Sequence, residues 1–336
     1  GASMSVSTEN VTAIRKAAET YYEPMIEFAR QSVRTKSLPG QEQEMARLLA
    51  EELEKLGYED IRTDSVGNVI GVFRGSGSGK SVQFNSHIDH VHEGDLSLWS
   101  RPPYDGVIED DILYGRAASD VKGGLAPQVY LLPVLRDAGL TPVGDVYITG
   151  VVLEELGGFG TKTLCEEMPT DLAVLSEATN NGIRRGHRGR ALVEVTFTGR
   201  SVHASAPSRG ANPHYAVARF LQVVENMPMK PHPTFGGSTV APTLIRTDQT
   251  SGNVTPGSVT ISLDWRSIPE ESQDEIQTRV TELAKQSEID GVTSDVRVVT
   301  RPVESYTSQS AEMQSTRGYE VAENAPIVKA AVEALG

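Results

Sequence analysis

Between residues 191 and 300 the elements implied by the hydrophobic pattern run strand, helix, strand, strand, helix, strand. Residues 191–199 alternate as a half-exposed strand does, with Val193, Val195 and Phe197 on one face. Residues 212–225 read as a helix, 238–247 and 258–265 as strands, 270–286 as a helix and 296–300 as a strand. That succession is the ferredoxin-like order. It predicts a small inserted α+β domain over residues 187–299.

The residues before it follow another rule. Helices near 9–33 and 41–56 are followed by strands at 59–64 and 67–73 and by a buried strand ending at His87. A helix over 121–135, a buried strand over 145–152, a helix over 161–167 and a buried strand over 171–176 complete the run. Alternation of this kind predicts an α/β layer structure. Residues 304–317 read as a polar loop, and 325–335 as a helix returning to the first domain. The expectation is a catalytic domain of residues 1–186 and 300–336 interrupted by the smaller one. A chain of 336 residues exceeds what one core usually fills, which agrees with two domains.

The formal charge is −14 and the basic residues form no long cluster, which argues against nucleic acid or an anionic membrane as partner. A small molecule or peptide fits better. The single cysteine, Cys165, excludes a disulfide framework and a zinc-binding Cys pair; its helical setting predicts a packed small residue. No apolar run is long enough to cross a bilayer and no charged-then-apolar leader is present, so a cytoplasmic protein is expected.

The chemistry is carried by His87, Asp89, Asp120, the adjacent pair Glu154 and Glu155, and Glu177, an order suited to a two-metal hydrolase. Residues 87 and 89 share one face if the strand continues, so the Asp89 carboxylate would orient a metal-binding His87 imidazole. Asp120 precedes Gly123 and Gly124, which permit close backbone approach; a carboxylate there is also a common N-cap. Glu154 and Glu155 leave a hydrophobic strand together, which is costly unless a cation or a proton neutralises one. Neighbours in sequence point different ways, so one can bind metal while the other holds a water. Glu177 ends a strand and could close the first site. His90 and His92 read as groups behind the ligands or at the rim of the site rather than as ligands, and His187 as part of a basic hinge.

The motifs Ser86-His-Ile-Asp89, Ser119-Asp120-Val-Lys-Gly-Gly124, Glu154-Glu155-Leu-Gly-Gly158-Phe-Gly160 and Gly199-Arg-Ser-Val-His203-Ala-Ser-Ala-Pro207 occur together and in this order. The chain thereby resembles the M20 family of metallopeptidases, which includes acetylornithine deacetylase, succinyl-diaminopimelate desuccinylase and the carboxypeptidase G2 type. Arg185-Gly-His-Arg-Gly-Arg190 and Arg301-Pro-Val-Glu-Ser-Tyr306-Thr are most similar to the subgroup linked to selenium metabolism. The resemblance implies a zinc-peptidase-like mixed sheet flanked by helices, with the inserted domain as a lid and dimerisation domain. It implies two zinc ions, with cobalt or manganese as substitutes. His87 and Glu177 would hold one ion, Asp120 would bridge, Glu155 would hold the second, and Glu154 would be the general base. A metal-bridged water would then cleave the amide of an N-acyl amino acid or short peptide. His203 would reach the partner subunit's site in a homodimer and stabilise the oxyanion. Asn253 and Arg266 would line the substrate side, although Arg266 equally suits a structural ion pair.

Members of that family supply the second ion with one more histidine, from a segment after the helix matching 325–335, whereas this sequence ends at Gly336. The same segment adds strands to the main sheet, which would here end on an exposed edge. This carries the second reading: a metal-binding dimeric pseudoenzyme, or an inactive fragment lacking that histidine.

Overall fold

A computed structural model describes residues 7–313 and 316–336, and the chain divides into two units. Of the described residues the first comprises 7–183, 302–313 and 324–336, the second 184–301 and 316–323.

The first unit is built on a five-stranded sheet in the order Glu59–Thr63, Val69–Phe73, Val146–Val151, Val82–His87, Leu172–Leu175. The first three strands pair antiparallel, while Val82–His87 runs parallel to both of its neighbours, so the sheet is mixed. Helices Thr8–Arg34 and Gln43–Leu56 present Phe28, Met45, Leu49 and Leu53 to a core shared with Ile148 and Leu125. Residues 121–135, expected as one helix, form two short ones, Gly123–Val129 and Leu131–Asp137. Pro127 and Pro133 remove amide donors there, which is why the helical ladder is not continuous. The stretch 304–317 is not wholly loop either, since Ser310–Met313 pairs with Arg301–Glu304.

Strand Leu172–Leu175, expected to be buried, lies at the sheet edge, with Val174 38% and Leu175 51% exposed. On helix Pro326–Leu335 only Val328 is buried, while Val332 and Leu335 face solvent. Cys165 is likewise exposed rather than packed, because helix Phe159–Glu167 turns Gly160, Thr163 and Leu164 inward and leaves residue 165 on the other face.

The second unit is a four-stranded antiparallel sheet, in the order Thr239–Thr247, Ser258–Ser267, Gly189–Thr198, Thr293–Val298. Helices Pro213–Glu225 and Gln273–Ser287 cover one face, and Phe220 of the first packs in a core with Val193, Val195, Phe197 and Trp265 of the sheet. This is the ferredoxin-like order expected from the sequence. Residues 316–323, expected with the first domain, fall in this unit. Tyr319–Glu320 pairs with Gly186–His187, and Glu320 meets Arg185 at 3.2 Å and the buried His232 at 3.2 Å. Among the described residues no helix is long and apolar enough to cross a membrane.

Candidate metal centre

Three parallel strands end on the same side of the sheet, and their ends carry the chemistry. Register pairs His87 with Val151 and Asn85 with Leu175. Glu154 and Glu155 therefore follow their strand by a few residues, and Glu177 follows Leu175 by two. Carboxyl ends of parallel strands are where α/β sheets gather ligands. Asp120 reaches the same place from a kinked segment, Ala118–Lys122, that leads into helix Gly123–Val129. Gly124 permits this approach: a Cβ there would lie 2.9 Å from the Cβ of Ser176, next to Glu177.

The cluster centres on His87, which is 2% exposed. Its Nδ1 lies 2.8 Å from the Asp89 carbonyl oxygen, which can only accept, so Nδ1 carries the hydrogen. The Asp89 carboxylate, expected to be the orienting group, is further away, at 3.5 Å. Its oxygens instead accept the backbone N–H groups of Glu154 at 3.1 Å and Glu155 at 3.0 Å. The strand stops at His87, so the alternation that would align residues 87 and 89 does not extend to Asp89.

Nε2 of His87 faces Asp120 at 2.9 Å, Glu177 at 3.6 Å and Glu154 at 3.7 Å. A bare imidazole nitrogen surrounded by acceptors needs a cation, either a proton or a metal ion. Burial alone would depress the imidazole, but the hydrogen bond to Asp120 and the nearby Asp89 and Glu177 carboxylates hold it well above its ordinary value. The His87 imidazolium in turn lowers Asp120. Burial raises Glu154 to about 7, opposed by His87 and reinforced by Glu177, Glu155 and Asp89. Burial, with Asp120, raises Glu155 as well. Carboxyl groups pushed upward around one imidazole form a cation-deficient donor set. A divalent ion fits it, and two combinations bring their ligand atoms within 4.8 Å of one another: His87, Asp120 and Glu177, and His87, Glu154 and Glu155.

The other histidines lie outside these combinations. His90 is buried with both nitrogens engaged, Nε2 accepting from Ser37 N at 2.9 Å and Nδ1 donating to Val91 O at 2.8 Å. Burial lowers it to about 4. His92 is exposed, and His187 packs edge-on against Tyr319.

The second unit brings two of the remaining candidates together. His203 bridges Val254, and Ala204 N donates to Asn253 O at 2.7 Å, so the loops of His203 and Asn253 adjoin although fifty residues separate them. His203 is exposed, and its Nδ1 accepts from Ser205 N at 3.2 Å, which leaves the ring hydrogen on Nε2. Arg266 is tied to Asp264 at 2.8 Å, and Arg190 reaches the same carboxylate at 3.0 Å. Arg266 thus has an ion-pair partner while about half of its side chain stays exposed.

Sequence reasoning missed two buried charged residues beside the centre. Lys122 is fully buried and donates to Thr35 O at 2.6 Å; Glu42 is fully buried and bonds to Leu153. Glu42 lies at the start of a helix and Lys122 at the end of the kinked segment, and in the sequence neither stands out, since only burial singles each out.

Comparison with known proteins agrees with this architecture. Residues 185–292 match the M20 peptidase dimerisation domain. The uncharacterized protein YgeY of Escherichia coli is 32% identical over 217 residues, 64% of this chain and 53% of YgeY. A probable succinyl-diaminopimelate desuccinylase of Staphylococcus aureus is 34% identical over 140 residues, covering 40% of this chain and 34% of its own. The chain thus spans about half or less of the length of these relatives. Among solved structures, the Bacillus subtilis YXEP protein, described as a dinuclear metal-binding peptidase from the M20 family, superposes with a TM-score of 0.66 at 15% identity, over 90% of this chain and 77% of its own. The chain thus carries an M20 peptidase dimerisation domain over residues 185–292 and shares its fold with solved M20 family peptidases, with the His87 cluster at the end of its mixed sheet.

Proposed function

We propose that this protein is a metal-dependent hydrolase of the amide bond in N-acyl amino acids or short peptides, acting as a homodimer. The observation that carries the reading is the bare Nε2 of His87 facing three carboxylates, with Glu154 raised to about 7 beside it. His87 and Glu177 would hold one zinc ion, with Asp120 between it and a second held by Glu155. Ions held there would polarise the scissile carbonyl and lower the pKa of the attacking water. Glu154 would take the proton from that water and return it to the leaving nitrogen. The outward Nε2–H of His203 would donate to the developing oxyanion.

Zinc titration into chelator-stripped protein tests the centre. The expected result is one tight equivalent and a second bound at least about tenfold more weakly, because both candidate combinations among the described residues draw on the one imidazole of His87. His87→Ala should abolish the tight equivalent. Wild-type protein that binds no zinc, or a His87→Ala variant that binds it unchanged, would overturn the assignment. The weaker second equivalent is what the pseudoenzyme reading would lead one to expect, and hydrolysis of a panel of dipeptides and N-acetyl amino acids separates the two.

The dimer is supported by the dimerisation-domain match and by strand Thr239–Thr247, a sheet edge unpaired among the described residues, on which Leu244 and Ile245 are 67% and 57% exposed. Such an edge is a template for pairing with another copy. If His203 acts across the dimer, mixing His203→Ala with Glu154→Gln chains restores one working site in each mixed dimer. The expected recovery after subunit exchange is about a quarter of wild-type activity. No recovery, with mixed dimers demonstrated, would place His203 outside the partner's site.

A further inference from the structure

Helix Gln43–Leu56 starts at Glu42, an acidic residue where a side chain ordinarily caps the helix, yet Glu42 makes no side-chain cap bond. It is 0% exposed, and its Oε2 accepts the N–H of Leu153 at 2.9 Å. A carboxyl group turned inward from a helix start loses hydration that an apolar residue would not need. Burial and the neighbouring Asp89 charge raise it to about 7, against the pull of the Leu153 N–H.

What Glu42 holds is the start of the turn that carries the two site carboxylates. Leu153 has φ 58°, in the left-handed region, with its side chain fully buried in the core. A branched residue persists in that conformation only where its surroundings fix it. The next two amides, of Glu154 and Glu155, are taken by the two oxygens of Asp89. Three successive N–H groups are therefore pinned by two buried carboxyl groups from different segments of the chain.

We infer that Glu42 is a positioning residue: by fixing the Leu153 peptide in its left-handed conformation it aims the Glu154 and Glu155 carboxylates at the His87 cluster. Its consequence for metal binding and catalysis rests on the hydrolase reading; its effect on the turn does not. The side chain contributes an acceptor rather than a charge, so Gln can replace it and Ala cannot.

The test compares wild type with Glu42→Ala, Glu42→Gln and Leu53→Ala, a cavity variant farther along the same helix that keeps the Glu42 acceptor. Amide hydrogen exchange of residues 152–158 is measured against residues 191–198 of the other unit, and Co²⁺ affinity is measured by titration followed by absorption. Glu42→Ala should speed exchange at 152–158 at least about tenfold, with no change at 191–198, and weaken Co²⁺ at least about tenfold. Glu42→Gln should restore both to within about threefold of wild type. Leu53→Ala should lower the melting temperature without this pattern. If Glu42→Ala does not fold, Glu42→Met, similar in volume and lacking an oxygen acceptor, takes its place. The inference is overturned if the acceptor-less variant exchanges as wild type does, or if Leu53→Ala reproduces its effects. Should wild type bind no Co²⁺ and cleave no dipeptide, the hydrolase reading fails, while the exchange result still decides the role of Glu42.

Discussion

Glu154→Gln is expected to lower kcat on any dipeptide or N-acyl amino acid the protein turns over by about 10³-fold, with metal affinity within about threefold of wild type. Gln keeps the shape of the side chain and one acceptor oxygen but cannot accept a proton at neutral pH, so the change removes proton transfer. In the metal-free protein, burial and the crowding of Glu177, Glu155 and Asp89 raise Glu154 to about 7 against the pull of His87. A cation in the centre favours the charged carboxylate, so in the loaded enzyme the pKa falls below that value. The base is active when deprotonated. Hence kcat/KM should decline as pH drops through this lowered pKa, and the acid limb should be missing in the residual activity of Glu154→Gln. Steady-state kinetics between pH 4.5 and 8, beside a zinc titration of the variant, checks both parts. If Glu154→Gln loses its metal while Glu155→Gln keeps it and loses only kcat, the two roles are exchanged.

The elements most legible in the sequence were those whose pattern is set by burial on a repeating face. The alternation of Val193, Val195 and Phe197 reads directly as a strand under two helices, and their burial follows it. Strand Val82–His87 was legible for the same reason, and with it the end of the sheet where the site lies. Strand Leu172–Leu175 misled because its apolar composition says nothing about whether anything covers it. Within the site, residue types and order were enough to collect His87, Asp120, Glu154, Glu155 and Glu177. The hydrogen-bond partners were not legible. Periodicity predicts which side chains share a face, but the orienting contact to His87 comes from a backbone carbonyl just past the strand end. Glu42 and Lys122 were invisible for a related reason, since their burial depends on segments about a hundred residues away.

Asp89 illustrates the difference most sharply, and its replacement should have the largest effect on stability among the site residues. The sequence suggests a group serving His87 alone, so that Asp89→Ala would loosen one ring. The geometry gives it two further tasks: each carboxylate oxygen takes one backbone N–H of the Glu154–Glu155 pair. It is also a neighbouring negative charge for the fully buried Lys122, favouring the charged ammonium that burial opposes. Removing it strands two partly buried N–H groups at about 1–3 kcal/mol each, so a loss of about 2–6 kcal/mol in unfolding free energy is expected. Metal affinity should fall about 10–100-fold, because the ligand turn and the imidazole lose a common support. Asp89→Asn should lie close to Asp89→Ala: its amide offers one acceptor oxygen for two N–H groups and turns an NH₂ donor toward the second. Urea unfolding and zinc titration of both variants decide the matter. An Asn variant with wild-type stability and zinc affinity would mean that the Glu154–Glu155 turn keeps its shape without Asp89, through Leu153 and Glu42 alone; matching losses in both variants would mean that acceptor geometry at residue 89 builds the centre.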